Sequence, residues 1–187
     1  MKIILVRHGQ TNYNVKDRCN GLPNTRVSLT SLGKKQSLQV AKKLAKEKIE
    51  VIFISKLFRT QQTAEIINLY HKVKIYSDKR LNDRLMGEFE GRPATLFYDW
   101  RAKQKNRWTS KPKNGESYEQ LKARVISFLN ILTTKKYKTV LIVTHLPIVK
   151  IVRGYIKKLS NQAMDRLTEK NIPNCHVAVF KLKARKK

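Results

Sequence analysis

Three short apolar runs, residues 2–6, 51–55 and 139–144, constrain this chain more than any other feature of its sequence. Each is nearly continuous and rich in β-branched residues, as strands buried on both faces of a parallel sheet are. Helical patterns lie between them. Residues 31–48 carry Leu38, Ala41, Leu44 and Ala45 on one stripe, and 59–70 carry Ala64, Ile67 and Leu69. Residues 117–132 follow a Pro112-Lys113-Asn114-Gly115 turn signal and place Leu121, Val125, Phe128 and Leu132 at helical spacing. Further strands are expected over 73–76 and 177–182. Strands alternating with helices need crossover connections. The expected class is therefore α/β: a three-layer sandwich with a mainly parallel central sheet flanked by helices.

Composition narrows the partners. The 187 residues include 41% hydrophobic side chains, enough for one domain over 1–187 with a core that needs no disulfide or metal staple. Cys19 and Cys175 are far apart and form no ligand pattern, so both read as free thiols in a reducing compartment. The first apolar run is too short for a signal peptide or a membrane span, and the longest later run is broken by His145, Pro147 and Lys150. The expected location is cytoplasmic, with no membrane partner. A net charge of +28 would draw phosphorylated ligands and allow weak nonspecific nucleic-acid binding. The plainer account is a surface on which spare helix positions are filled by lysine. Nothing in the sequence specifies an oligomeric state.

The strand ends carry the chemistry. The first run stops at Arg7-His8-Gly9, the second at Ser55 shortly before Arg59, and the third at Thr144-His145. In open α/β sheets ligands bind at the carboxyl edge of the strands. If these three strands are neighbours, Arg7, His8, Arg59 and His145 meet there. Two guanidiniums match phosphate oxygens bidentately, and two histidines supply a nucleophile and a second donor. Phosphoryl transfer needs charge neutralisation, positioning and an acid for the leaving oxygen. No metal-ligand spacing is evident, so the arginines are expected to neutralise the phosphoryl charge without a metal or other cofactor.

The same residues fall into longer motifs. Arg7-His8-Gly9-Gln10-Thr11 with Asn14 is followed by Ser28-Leu29-Thr30, Gly33 and Gln36. Then come Ser55-Lys56-Leu57-Phe58-Arg59 with Gln62-Thr63-Ala64, and Leu81-Asn82-Asp83-Arg84 with Gly87-Glu88-Phe89-Glu90-Gly91. Gly115-Glu116-Ser117, Val143-Thr144-His145 and Ile172-Pro173-Asn174 complete the series. In this order the chain resembles the small phosphoglycerate-mutase-like branch of the histidine phosphatase superfamily, which includes α-ribazole phosphatase-like proteins. The resemblance implies a phosphohistidine intermediate on His8, held by Arg7, Arg59 and His145 with Asn14 as a polar contact. It implies that Asp83 protonates the leaving oxygen and then activates water. It favours phosphomonoester hydrolysis over a cofactor-dependent mutase, because the mutases usually carry a longer segment before the Gly-Glu-Ser turn. A weak phosphate- or RNA-binding protein on the same scaffold is the further alternative.

Two positions depart from the branch. Asp83 stands where glutamate is usual, one methylene shorter, with Glu88 and Glu90 nearby as structural residues. Leu146-Pro147 replaces the glycine that usually follows the second histidine, removing one backbone donor. Outside the motifs, His71 is expected in an exposed turn and His176 at the entry to the last strand. Arg26 is expected on the surface and Glu116 bracing a helix start. Residues 92–114 read as a basic, lid-like excursion whose tryptophans pack onto the body, with Lys103, Lys105 and Arg107 suited to an acidic or multiply phosphorylated substrate.

Overall fold

Five strands form one sheet: β1 (Lys2–Arg7), β2 (Val51–Ile54), β3 (Ile75–Ser77), β4 (Thr139–Thr144) and β5 (Val177–Lys181). Their spatial order is β3-β2-β4-β1-β5, with β5 antiparallel to β1 and the other neighbouring pairs parallel. The computed structural model describes residues 1–23, 26–168 and 170–182. The three apolar runs are thus the three central strands. The chain leaves β1, builds β2 and β3 outward, and returns to lay β4 in the gap.

Residue parity assigns the two faces. Ile4, Val6, Ile52, Ile54, Leu141 and Val143 pack under α2 (Ser31–Leu44) and α3 (Phe58–Asn68). Ile3, Leu5, Val51, Val140 and Ile142 pack under α5 (Tyr118–Thr133) and α6 (Leu146–Lys157). Each buried Ile, Leu or Val is worth about 1.5–3 kcal/mol of transfer free energy. A one-residue slip of any central strand would exchange the sets and strand each against the wrong helices. The shorter helices α1 (Asn12–Val15), α4 (Ala94–Ala102) and α7 (Asn161–Asp165) lie in the loops beyond the sheet's carboxyl edge or after α6.

Several expected boundaries shift. Leu38 is 39% exposed, and α2 turns Gly33, Ser37, Val40, Ala41 and Leu44 inward instead. That stripe includes two small residues that hydrophobicity alone does not flag. Gly33 is needed there, because a Cβ would collide with the Gln10 carbonyl, while a Cβ on Gly9 would sit 2.6 Å from Gly33 O. Close approach of α2 to the loop after β1 therefore requires both glycines. Leu69 is 65% exposed just beyond α3, and β3 begins two residues later than expected. The run 140–152 proves to be a strand followed directly by α6. Pro147 lies within the first two positions of that helix, where it costs no hydrogen bond.

The excursion 92–114 is tied down rather than detached. Phe97 of α4 packs with Cys19 and Phe89, and Trp108 enters the main core against Tyr118. Lys103, Lys105 and Arg107 point to solvent. Cys19 and Cys175 are both free. Among the described residues no helix is long and apolar enough to cross a membrane. Residues 183–187, the expected frayed tail, lie outside the described residues.

Candidate active site

The strand register brings the motif ends to one level. Arg7 lies opposite Thr144 and Ile54 opposite Val143, so Arg7, Ser55 and Thr144 mark the last rung of the sheet. His8 and His145 leave the sheet one residue later, with ring centroids 5.3 Å apart. Arg59 reaches them from the first turn of α3. Asp83 arrives on a loop held by two clamps. The Thr144 hydroxyl donates to Leu81 O at 2.9 Å, and the Arg124 guanidinium donates to the carbonyls of Arg80, Asn82 and Asp83. Arg124 is itself fixed by both carboxylate oxygens of Glu116, so Glu116 braces this loop through α5.

Hydrogen bonding sets the protonation of His8. Its Nδ1 lies 2.8 Å from Gly9 O, which can only accept, so Nδ1 carries the proton. Its Nε2 receives Arg59 Nε–H at 3.2 Å and is therefore the unprotonated lone pair. Burial holds the His8 pKa well below its ordinary 6.5, and the neighbouring Arg59 and Arg7 charges push the same way. The ring is neutral and nucleophilic at physiological pH.

Arg59 also donates through Nη2 to Asp83 Oδ2 and to Asn20 O, both at 2.9 Å. Asp83 Oδ1 accepts the Arg84 amide at 2.9 Å. Burial raises the Asp83 pKa, while Arg59, the Arg84 amide and Arg7 oppose the rise. Anything that drew Arg59 away would leave the carboxyl more readily protonated. Arg7 Nη1 donates to Ile172 O at 2.7 Å, which ties the closing loop to the site. Asn14 commits its Oδ1 to the Thr11 amide and hydroxyl in a helix-capping box, leaving Nδ2 as the end able to donate to an oxyanion.

Arg7, His8, Asn14, Arg59 and Asp83 share the wall of one cavity of about 590 Å³, which Leu146 and Pro147 also line. The departure after His145 thus makes that wall apolar, as the sequence implies. His145 is fully buried behind the wall. Its Nδ1 lies 3.4 Å from Asp83 Oδ2 and its Nε2 2.8 Å from Ser55 Oγ. Burial and the Arg59 charge lower its pKa well below 6.5.

Several side chains carry no role in the sequence reading yet matter here. Ser55 fixes His145 and is bonded in turn to Thr60 at 2.8 Å. Arg84 is 1% exposed, stacked between Phe97 and Tyr118 at 4.7 and 4.5 Å. Arg124 had no motif of its own; an arginine on a helix reads as surface until tertiary structure shows what it holds. Glu88 and Glu90 accept from the Lys113, Gly21 and Met86 amides, so both brace loops. His71 lies in a turn, half-buried rather than exposed, and His176 precedes β5.

Buried arginines and a neutral histidine at the carboxyl edge of a parallel sheet define a phosphoryl-binding α/β protein. Residues 3–187 match the histidine phosphatase superfamily (branch 1), and the chain belongs to that family. It is 32% identical over 196 residues to phosphoglycerate mutase-like protein 4 of Arabidopsis thaliana, covering 97% of this chain and 79% of that protein. Phosphoserine phosphatase 1 of Hydrogenobacter thermophilus is 29% identical over 151 residues, 78% of this chain and 71% of its own length. Among solved structures, YhfR of Bacillus stearothermophilus superposes with a TM-score of 0.84 at 23% identity, covering 97% of this chain and 91% of that one. A mycobacterial glucosyl-3-phosphoglycerate phosphatase gives 0.80 at 24% identity, covering 95% and 88%.

Proposed function

We propose that the protein hydrolyses phosphomonoesters through a phosphohistidine on His8. The observation that carries this reading is the His8 tautomer: a neutral imidazole whose Nε2 lone pair meets a buried guanidinium in the cavity wall. The phosphoryl group enters between Arg7 and Arg59, which neutralise its charge. Because it competes with Asp83 and His8 for Arg59, binding releases both for chemistry.

In the first half-reaction Nε2 forms a bond to phosphorus as the ester P–O bond breaks. The leaving oxygen takes a proton from Asp83. His8 keeps its Nδ1 proton on Gly9 O, which stabilises the phosphorylated ring. In the second half-reaction Asp83 takes a proton from water, the water oxygen bonds to phosphorus, and the P–N bond breaks. His145 supports the site from behind, with Ser55 donating to Nε2 and Nδ1–H directed at Asp83 and the phosphoryl group beyond it. Asn14 contributes Nδ2 as a further donor. No step requires a metal.

Hydrolysis of a phosphomonoester panel in EDTA, wild type beside His8→Ala, tests this. Phosphate release that the substitution abolishes is the expected result; release that persists in His8→Ala overturns it. The likeness to a mutase-like relative across nearly the whole chain keeps phosphoryl transfer as the second reading. Interconversion of 3- and 2-phosphoglycerate with no net phosphate release would select it.

A further inference from the structure

The far end of the cavity holds a charge that the chemistry above does not use. Lys150 lies on α6, five residues after His145, so its Cα stands about 7.5 Å further along the helix axis. It lines the same cavity and is only 9% exposed. Every other buried residue of α6 is apolar or glycine. Among the described residues Lys150 makes no hydrogen bond and no ion pair. The acid beside it, Asp165, is committed to Arg101 at 2.8 Å.

An ammonium on a largely buried side chain, with no acceptor, is costly. Packing alone would favour leucine or methionine at this position. The cost shows in the lysine itself, whose pKa burial pulls down to about 8, with Arg101 adding to the fall and Asp165 opposing it. Beside it, the buried Nε of Arg101 lacks a hydrogen-bond partner among the described residues. Asp165 is placed by a close helix contact: a Cβ on Gly154 would collide with the Met164 sulfur, so α7 rests directly on α6. Among the described residues, Arg101 takes the one acid beside Lys150, so the Lys150 charge faces the cavity without an acid of its own.

We propose that Lys150, with Arg101 beside it, forms a second anion subsite, so that the preferred substrate is a phosphomonoester bearing another acidic group at its far end. This rests on the phosphomonoesterase reading of the His8 site. The acidic group is a carboxylate or a second phosphoryl, and both would supply the acceptor that Lys150 lacks.

Three ligands with one carbon skeleton separate the cases: glycerol 3-phosphate, 3-phosphoglycerate and glycerol 1,3-bisphosphate. Their affinities are measured calorimetrically on His8→Ala, so that turnover does not interfere, and again on His8→Ala/Lys150→Met and His8→Ala/Lys150→Arg. One or both diacids should bind at least about tenfold more tightly than glycerol 3-phosphate. Lys150→Met should bring that preference to within about twofold and Lys150→Arg should keep most of it. Which diacid is preferred tells carboxylate from phosphoryl. Equal affinities for all three ligands, or a Lys150→Met loss shared equally by all three, overturn the proposal. The His8→Ala comparison across ligands decides it even if the Lys150 variants fail to fold. Phosphate release by the wild type is read separately. Diacid preference without release keeps the subsite and overturns the hydrolase, whereas release without preference does the reverse.

Discussion

The two ends of the cavity are built in opposite ways. At the floor, Arg7, His8, Arg59 and Asp83 are bound to one another and to backbone carbonyls, and nearly every polar atom has a partner before any ligand arrives. At the outer end, among the described residues, the Arg101 Nε is buried without one and the largely buried Lys150 has no acceptor. The floor is preorganised, as the proposed phosphoryl site requires. The outer end is left unsatisfied, and so its energy depends on what the ligand brings. In the proposed reading, reaction type and substrate choice thus rest on different elements: strand ends below, and α4, α6 and α7 above.

The largest expected effect tests the floor. His8→Ala should lower kcat on any phosphomonoester by about 10⁴-fold or more, since the proposed reaction passes through a bond to His8 Nε2. A loss below tenfold would remove His8 from the chemistry. Next, Asp83→Asn should cost about 10²–10⁴-fold on alkyl phosphates, whose leaving oxygen needs a proton. In kcat/KM, which reports only the phosphorylation of His8, the loss with p-nitrophenyl phosphate, whose leaving group needs no proton, should be far smaller. Similar losses on both would assign Asp83 to binding instead.

Arg124→Met should act in the same direction but by only about tenfold, because it loosens the loop that carries Asp83 without touching substrate. It should spare kcat/KM for p-nitrophenyl phosphate, and its pH profile on alkyl phosphates should shift on the alkaline side, where Asp83 loses its proton. A uniform fall on both substrates would mean that Arg124 merely holds the fold.

The pH dependence follows from the buried groups. The His8 and His145 pKa values are depressed in the folded protein, so the unfolded chain binds more protons once pH falls below about 6.5. Their contribution to stability is present above 6.5 and is lost as pH drops toward the folded values. Tm should therefore fall between pH 7 and pH 5, with a shallower fall in His8→Gln. A Tm flat over that range would contradict the burial of neutral imidazoles. In activity, the acid limb of kcat/KM should lie below 6.5, where His8 finally protonates. The smallest effect concerns the surface: +28 charges predict weak RNA binding that decays steeply between 50 and 200 mM salt. Binding insensitive to salt would point to a built site instead.

Much of this was legible from residue order. The central strands are continuous apolar runs because both their faces are buried, and that pattern survives any detail of packing. Leu121, Val125, Phe128 and Leu132 of α5 turned inward as spaced. In α2 the stripe was misplaced by the inward Gly33 and Ser37, whose value lies in smallness rather than hydrophobicity. For α6, His145 and Pro147 read as interruptions although one is a cap and the other sits in the first turn. Arg7, His8, Arg59 and His145 were legible as strand-end and motif residues. Their hydrogen-bond partners were not.

The sequence by itself determined the fold class, the three apolar runs that became central strands and the strand-end positions of Arg7, His8 and His145, because periodicity and motif spacing are local properties of the chain. Only the tertiary structure decided that Gly9 O fixes the His8 tautomer, that Arg124 carries the Asp83 loop, and that Lys150 is largely buried with no acceptor among the described residues. Each of those depends on contacts between elements distant in sequence, where burial and the absence of a partner, rather than residue type, set the charge and its consequences.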